Sequence, residues 1–487
     1  MKTISESFTE QAVANPERVA IMYPDGALTF GQLNRLFISF ARRMSAEGVT
    51  SASKIMLDTS DLQVVLATLL GAAHLGAGFV QWNDGIPTPD DLTITHRFHS
   101  TPTSTASTDN SILIDLGWSP AQNPGDLPTH DRTDTDRLWL YLYTSGTTGI
   151  PKFVGLSQRM VIDRSIAVSD EFVGGKTRFA STMPILSRTY LIRALAALVN
   201  GATIVAGTDI DFWIRAGATM VSGSPAQMRP FLGERVLNPR LPLVEVMGSR
   251  LSLTDARDLL RSFETVQDVF GAAEANKLFT NVSTLDENGT MQTKGQLRDS
   301  EIEIVDINGA KVPTGEDGLL RVRNSYMVNG YLNDPDTEQS AFRDGWFYSG
   351  DVAAWGANGV LQIRNRADHV VNIGGAKINA FAVDSIFRSV DGIRDAVCFK
   401  NPKGNSVDEL FAFVVFDDGC NRFQAIESAR FHCRDKLGES MVPRIVKGVA
   451  GIPRRPDGSP DRQACAALIL SINAEMQQSS QSLHQGG

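Results

Sequence analysis

Cysteine is scarce in this 487-residue chain. Cys398, Cys420, Cys433 and Cys465 all fall in its last fifth, with no CxxC pair and no histidine at metal-ligand spacing. That excludes a disulfide scaffold or zinc module, and the thiols read as reduced packing residues. No apolar run is long enough to cross a bilayer, and the opening "MKTISESFTEQ" lacks the apolar segment of a signal peptide. A cytoplasmic protein with no membrane partner is expected. A basic excess is missing too: the net charge of -9 argues against nucleic acid as a partner, while leaving room for a local basic groove. No repeat occurs at solenoid spacing. What the chain does have is core material, 42% hydrophobic against 21% charged residues, over a length that needs at least two domains.

Helix-like and strand-like segments alternate over the first 365 or so residues. "LTFGQLNRLFISFARRM" and "SDLQVVLATLLGAAHLGAG" carry apolar residues at helical spacing, the second opened by Ser60 or Asp61 and closed by glycines. Between such segments come "LWLYLY", "ATIVAG" and "LVEVMG", short β-rich runs bounded by turn residues. The alternation predicts an α/β fold with mainly parallel layered sheets. From about Gly345 the texture becomes strand- and glycine-rich, then resolves into a small α+β unit. The expected division is a large N-terminal domain over 1–366, a C-terminal domain over 367–475 and a frayed polar tail over 476–487.

The densest chemical signal is "LYLYTSGTTGIPKFVGLS", from Leu140 to Ser157. A β-run feeds a loop in which Thr144, Ser145, Thr147 and Thr148 are interleaved with Gly146 and Gly149, and Lys152 follows. Hydroxyls and exposed backbone N–H groups donate to phosphate oxygens, and the lysine adds a point charge. The loop is not a Walker motif: Pro151 and Phe153 stand where that pattern requires glycine and a hydroxyl residue.

The string resembles the phosphate-loop signature of the acyl-adenylate-forming superfamily, which holds acyl-CoA ligases, aryl-acid ligases, peptide-synthetase adenylation domains and luciferases. Further strings resemble the family's motifs in its order: "LTFGQL", "LGAGFV", "FGAAE", "DGWFYSGD", "NRADHVVNIGGAKI", "MVPRIV" and "PRRPDGSPDR". The resemblance implies two half-reactions: carboxylate and ATP give acyl-AMP and pyrophosphate, then a thiol displaces AMP; coenzyme A is the expected thiol, with a carrier-protein phosphopantetheine as the alternative. It implies that residues 144–149 and Lys152 hold the ATP phosphates and that Glu274 takes magnesium, an oxygen-ligand role. Phe270 would stack on adenine, with Asp268, Gly271 and the Gly248–Ser249 backbone near its edge. Asp351 would bind the ribose hydroxyls and Arg366 the ribose or α-phosphate. Asp368 matches the family's hinge, about which the small domain rotates. Gly374, Gly375 and Ala376 would line the pantetheine tunnel, and Lys377 either meets the thiol cofactor or points to solvent. Ser187, Arg188, Tyr190, Gly223, Ser224, Met247, Arg250 and Ala272 are the acyl-pocket candidates; a specialised bacterial biosynthetic acid is expected rather than a common fatty acid.

Three departures fall on the first half-reaction. Ser459 replaces the lysine of the C-terminal catalytic turn, Ala273 replaces a threonine hydroxyl near the same phosphate, and Phe153 replaces a glycine after Lys152. Gln158 for a histidine is a lesser change, as is Ser187 where an aromatic or histidine gates the acyl pocket. Adenylation passes through a highly charged phosphorus centre, and removing one preorganised donor there costs on the order of 3 kcal/mol, or roughly 10²–10³ in rate. Thiol attack on a preformed adenylate needs less. The resulting expectation is an enzyme specialised for thioesterification, fed by a companion adenylating enzyme. Two alternatives stand beside it: a complete ligase in which Arg454, Arg455 or Lys377 supplies the missing charge, and an inactive adenylate-binding protein.

Overall fold

Helix Phe30–Ala46 begins with a Thr29–Gln32 capping box and buries Phe30, Leu33, Phe37, Phe40 and Met44, a stripe at helical spacing that fixes which face turns inward. Helix Leu62–Leu75 is capped by Asp61 and ended by Gly76 at φ 70°, and is buried on nearly every side. The computed structural model describes residues 2–81, 92–100, 111–118, 125–128, 134–144, 152–306, 308–332, 334–366, 370–373, 376–400, 409–454 and 460–471. They fall into two compact units. The first comprises Met1–Glu303, Arg321–Ser349 and Ala357–Leu361; the second Ile304–Leu320, Gly350–Gly356 and Gln362–Gly487.

The first unit is α/β with two parallel-rich sheets. A nine-stranded sheet runs from Met291–Leu297 through Asn276–Leu285, Phe263–Ala272, Leu241–Val246, Met220–Gly223, Arg178–Ser181, Thr203–Val205 and Val19–Tyr23 to Gly26–Thr29. Its centre is parallel and its edges are antiparallel hairpins. A six-stranded sheet runs from Ser111–Leu113 through His96–His99, Lys54–Asp58, Gly78–Val80 and Leu138–Thr144 to Lys152–Ser157, the last antiparallel to its neighbour. One continuous core joins Ile21, Phe179 and Ile204 of the first sheet, Ile55, Phe79 and Leu140 of the second, and the helices near them. "LWLYLY", "ATIVAG" and "LVEVMG" all contribute strands, as their β-branched and aromatic content predicts.

In the second unit, strands Ile393–Lys400, Leu410–Phe416 and Ile445–Gly448 form a sheet packed on one face by helices Ala380–Arg388 and Arg422–Leu437. The helix over 462–471 brings Cys465 and Ile469 against Phe399 and Phe413. All four cysteines are free, and burial pushes Cys433 up to about 11 and Cys465 to about 12, so both stay thiols at neutral pH. Among the described residues no helix is long and apolar enough to cross a membrane.

Candidate active site

Glu274 sits at the tip of the hairpin formed by Phe263–Ala272 and Asn276–Leu285. The tip is tight: the register shifts between Phe270 and Gly271, Asn276 has φ 63°, and a Cβ on Gly271 would come within 2.6 Å of the Asn276 carbonyl oxygen. Buried Arg164, from helix Gln158–Ile166, pins this turn. It donates to the carbonyls of Ala273 (2.9 Å), Glu274 (3.0 Å) and Tyr326 (3.0 Å). Burial pulls its guanidinium down to about 10, against the opposing pull of Glu274, so it remains a cation at neutral pH. Glu274 is itself 7% exposed, and its Oε1 accepts from the Tyr331 hydroxyl at 2.8 Å. Its Oε2 accepts no hydrogen bond from the described residues. One oriented carboxylate with an uncommitted oxygen fits magnesium, which usually takes one or two protein carboxylates and fills its shell with phosphates and water. Among the described residues no cluster of three or more His, Cys, Asp or Glu side chains competes for a metal.

Lys152 opens the strand that returns from the glycine-hydroxyl loop, directly opposite Thr144 in antiparallel register. Ser145, Gly146, Thr147, Thr148 and Gly149 lie outside the described residues, but both stems of their loop are thus fixed. The Lys152 ammonium lies 3.5 Å from Asp334 and 5.0 Å from the centre of the Tyr331 ring. Phe153, expected to crowd a close backbone approach, instead buries its ring with Met56, Val80 and Tyr141. Gln158 is a scaffold residue: its Oε1 accepts from Ile4 N at 3.0 Å and its Nε2 donates to the Ala73 carbonyl at 2.8 Å, tying three helices together.

Of the acyl-pocket candidates, Met247 and Gly223 are adjacent, the Met247 N–H donating to the Gly223 carbonyl at 3.1 Å. Gly223 has no room for a side chain, since a Cβ would meet Thr182 Oγ1 at 2.3 Å. Ser187 and Ser224 are helix N-caps, which explains small hydroxyl residues there without a ligand. Tyr190 is a core side chain, 4% exposed and packed on Phe179, and burial raises its hydroxyl pKa. Arg188 and Ala272 are half-buried, and Arg250 is exposed. Near the proposed adenine edge, Gly248 is exposed with φ 87°, and Ser249 and Phe270 are half-buried.

Asp268, on the same strand as Phe270, is raised to about 7 by burial, with Asn281 and Arg250 pulling the other way. Against an unfolded value of about 3.9, the folded state retains a proton that the unfolded chain releases, so stability falls as pH rises from about 4 to 7. The urea midpoint is expected to drop between pH 5 and 8 by the equivalent of on the order of 1–2 kcal/mol, after a discount for solvent screening. Asp268→Asn should remove most of that drop; an unchanged pH dependence in the variant would contradict it.

The second unit carries the remaining candidates. Asp351 is 9% exposed on strand Trp346–Trp355, Arg366 ends strand Leu361–Arg366, and Ala376 and Lys377 open a strand paired with Ile373 and Asn372. Asp368, Gly374, Gly375 and Ser459 lie outside the described residues. The stem of the Ser459 turn is closed by the Arg454–Pro460 bridge and by Asp461 N donating to the Pro453 carbonyl at 2.9 Å. Arg454 is ion-paired with Asp395.

Tyr331, Asp334 and Arg164 belong to the site but carry no sequence signal. Tyr331 lies in the turn-like "NGYLNDP", and Arg164 reads as an ordinary basic residue in the last turn of a helix.

A family model described as AMP-binding enzyme matches residues 8–332. Sulfoacetate–CoA ligase of Cupriavidus necator is 25% identical over 94% of this chain and 96% of its own length. A mycosubtilin synthase polypeptide of Bacillus subtilis is 23% identical over 96% of this chain, which spans only 19% of that protein. Among solved structures, o-succinylbenzoate CoA synthetase of Bacillus subtilis, in complex with its acyl-adenylate intermediate, superposes with a TM-score of 0.78 at 18% identity, over 94% of this chain and 97% of that one.

Proposed function

The chain belongs to the AMP-binding enzyme family, and we propose that it forms an acyl-CoA thioester by way of acyl-AMP and is specialised for the second half-reaction. The observation that carries this is the depleted positive charge on the adenylation side. Ser459 stands where the family resemblance expects lysine, and the lysine that remains beside the phosphate loop, Lys152, is buried against Asp334. Arg454, one candidate for a substitute cation, is engaged by Asp395. Ala273 contributes a buried methyl in place of a hydroxyl donor.

Thioesterification asks less of this site. The CoA sulfur attacks the acyl carbonyl carbon, the C–O bond to the phosphate breaks, AMP departs with the electron pair, and the thiol proton passes to solvent. In this reading the 145–149 loop and Asp351 hold the nucleotide, Arg366 steadies the α-phosphate, and Gly374, Gly375 and Ala376 admit the thin pantetheine arm, where absent side chains leave space. Magnesium, held by Glu274, would supply charge neutralisation when a triphosphate or pyrophosphate is present. A companion adenylating enzyme would supply the acyl-AMP.

Two incubations of the purified protein test this. One contains a panel of carboxylic acids with ATP and magnesium, the other the synthetic acyl-AMPs with CoA. Thioester is expected only in the second. Rapid acid-dependent pyrophosphate release would overturn the proposal in favour of a complete ligase, and tight adenylate binding without thioester would favour an inactive binder.

A further inference from the structure

The Lys152 side chain is 7% exposed, with Asp334 Oδ2 3.5 Å from its ammonium. At that distance the pair is longer than a close charge-assisted hydrogen bond of about 2.7–2.9 Å. The carboxylate therefore offsets the charge without saturating the three N–H donors, as an exchangeable stand-in for a phosphate oxygen would. A strap over residues 326–332 lies beside this pair. Val328 N donates to the Glu274 carbonyl at 2.8 Å, Leu332 N to the Phe153 carbonyl at 2.8 Å, and Tyr331 N to Glu338 at 3.2 Å. Because Tyr331 also donates to Glu274, the strap joins the metal-side carboxylate to the phosphate-side lysine. An anion approaching the buried Lys152 ammonium meets a cation already neutralised and a carboxylate that repels it.

We propose that Asp334 is a specificity-determining residue. By offsetting Lys152 it biases the pocket toward ligands with a single phosphate, acyl-adenylate and AMP, and against the additional phosphates of ATP or free pyrophosphate. The inference rests on the adenylate reading above and names the residue that enforces it. A monophosphate carries less charge and competes less with Asp334 for Lys152; a triphosphate, with more charge to place, must either displace Asp334 from Lys152 or bind beside it unpaired.

Titration calorimetry of the full chain with inorganic pyrophosphate, ATP and AMP tests the proposal. Asp334→Asn is expected to tighten pyrophosphate and ATP by about 5–10-fold while AMP moves less than about twofold. Asp334→Glu keeps the charge and should retain the wild-type preference. In a Lys152→Met background the Asp334→Asn gain should shrink to about twofold or less, because only the direct repulsion of the carboxylate is then relieved, which separates charge competition from a general loosening of the strap. If Asp334→Asn does not fold, Asp334→Ser carries the same test. Equal shifts for AMP and pyrophosphate, no shift for either, or a gain undiminished without Lys152 would each overturn the proposal. Acid-dependent pyrophosphate release by the wild-type protein would sink the adenylate reading but not this one, because the ratio of AMP to pyrophosphate affinity still decides the role of Asp334.

Discussion

Replacing Ser459 with lysine is expected to raise acid-dependent pyrophosphate release by about 10²-fold, the scale on which one preorganised donor stabilises a charged transition state. The described residues on either side of that position are already joined: Arg454 bridges Pro460, and Asp461 N donates to the Pro453 carbonyl. Thioester formation from supplied acyl-AMP should change far less, since the leaving group in that step needs no further activation. Adding Ala273→Thr is expected to give less than a second full increment. The Ala273 methyl is 4% exposed and packs into the main core, so the new hydroxyl must find a partner before it can help, and donors acting at one phosphorus centre are not additive. Pyrophosphate release by Ser459→Lys no faster than wild type would mean that the missing ammonium is not what limits adenylation.

Lys277→Met is expected to destabilise the first unit by about 3–5 kcal/mol, the penalty for removing one partner from a buried charge cluster. Lys277 Nζ lies 2.5 Å from Glu171 and 2.6 Å from Glu245, and also donates to Gln267 at 3.2 Å. Arg193 pairs with Glu245 at 2.8 Å and approaches Glu171 at 3.6 Å, while Arg298 pairs with Glu171 and Asp170. Glu245 is fully buried and Glu171 nearly so, so neither can turn to water when the lysine is lost. Burial would raise the Glu171 carboxyl, but Lys277, Arg193 and Arg298 together outweigh it and hold the group below the ordinary glutamate value. A depressed carboxylate stabilises the fold above its unfolded pKa and loses that contribution as pH falls through the folded one. The difference between wild type and Lys277→Met in urea unfolding should therefore be largest near pH 7 and narrow toward pH 4. A difference under about 1 kcal/mol at pH 7 would show that the cluster reorganises around the missing cation.

The fold was largely legible before any coordinates. The stripes of Phe30–Ala46 and Leu62–Leu75, the Asp61 cap, the Gly76 stop and the short β-runs are local signals, carried by spacings of two to four residues. The order of the motifs pointed to the family, and Ser459 and Ala273 stood out as departures on identity alone. Phe153, a bulky departure in the sequence, Gln158, a lesser one, and Tyr190, an acyl-pocket candidate, also have structural roles that no local string announces. Each side chain is claimed by packing or by a hydrogen bond to a distant part of the chain, Gln158 to Ile4 across 154 positions, for example.

The residues that tie the candidate site together were invisible for the same reason. Arg164 reaches Ala273 across 109 positions and Tyr331 reaches Glu274 across 57; in the buried charge cluster, likewise, Lys277 meets Glu171 across 106. Glycines, hydroxyls and carboxylates in short strings declare their chemistry because phosphate binding needs several donors within a few residues of one another. A buried arginine under a hairpin, or an aspartate set against a lysine, needs only one residue from each of two remote segments, and one residue forms no pattern. The α/β class and the likeness to adenylate-forming enzymes were therefore written in the chain, whereas the strap that couples Glu274, Tyr331, Lys152 and Asp334 exists only once the sheets have brought those segments together.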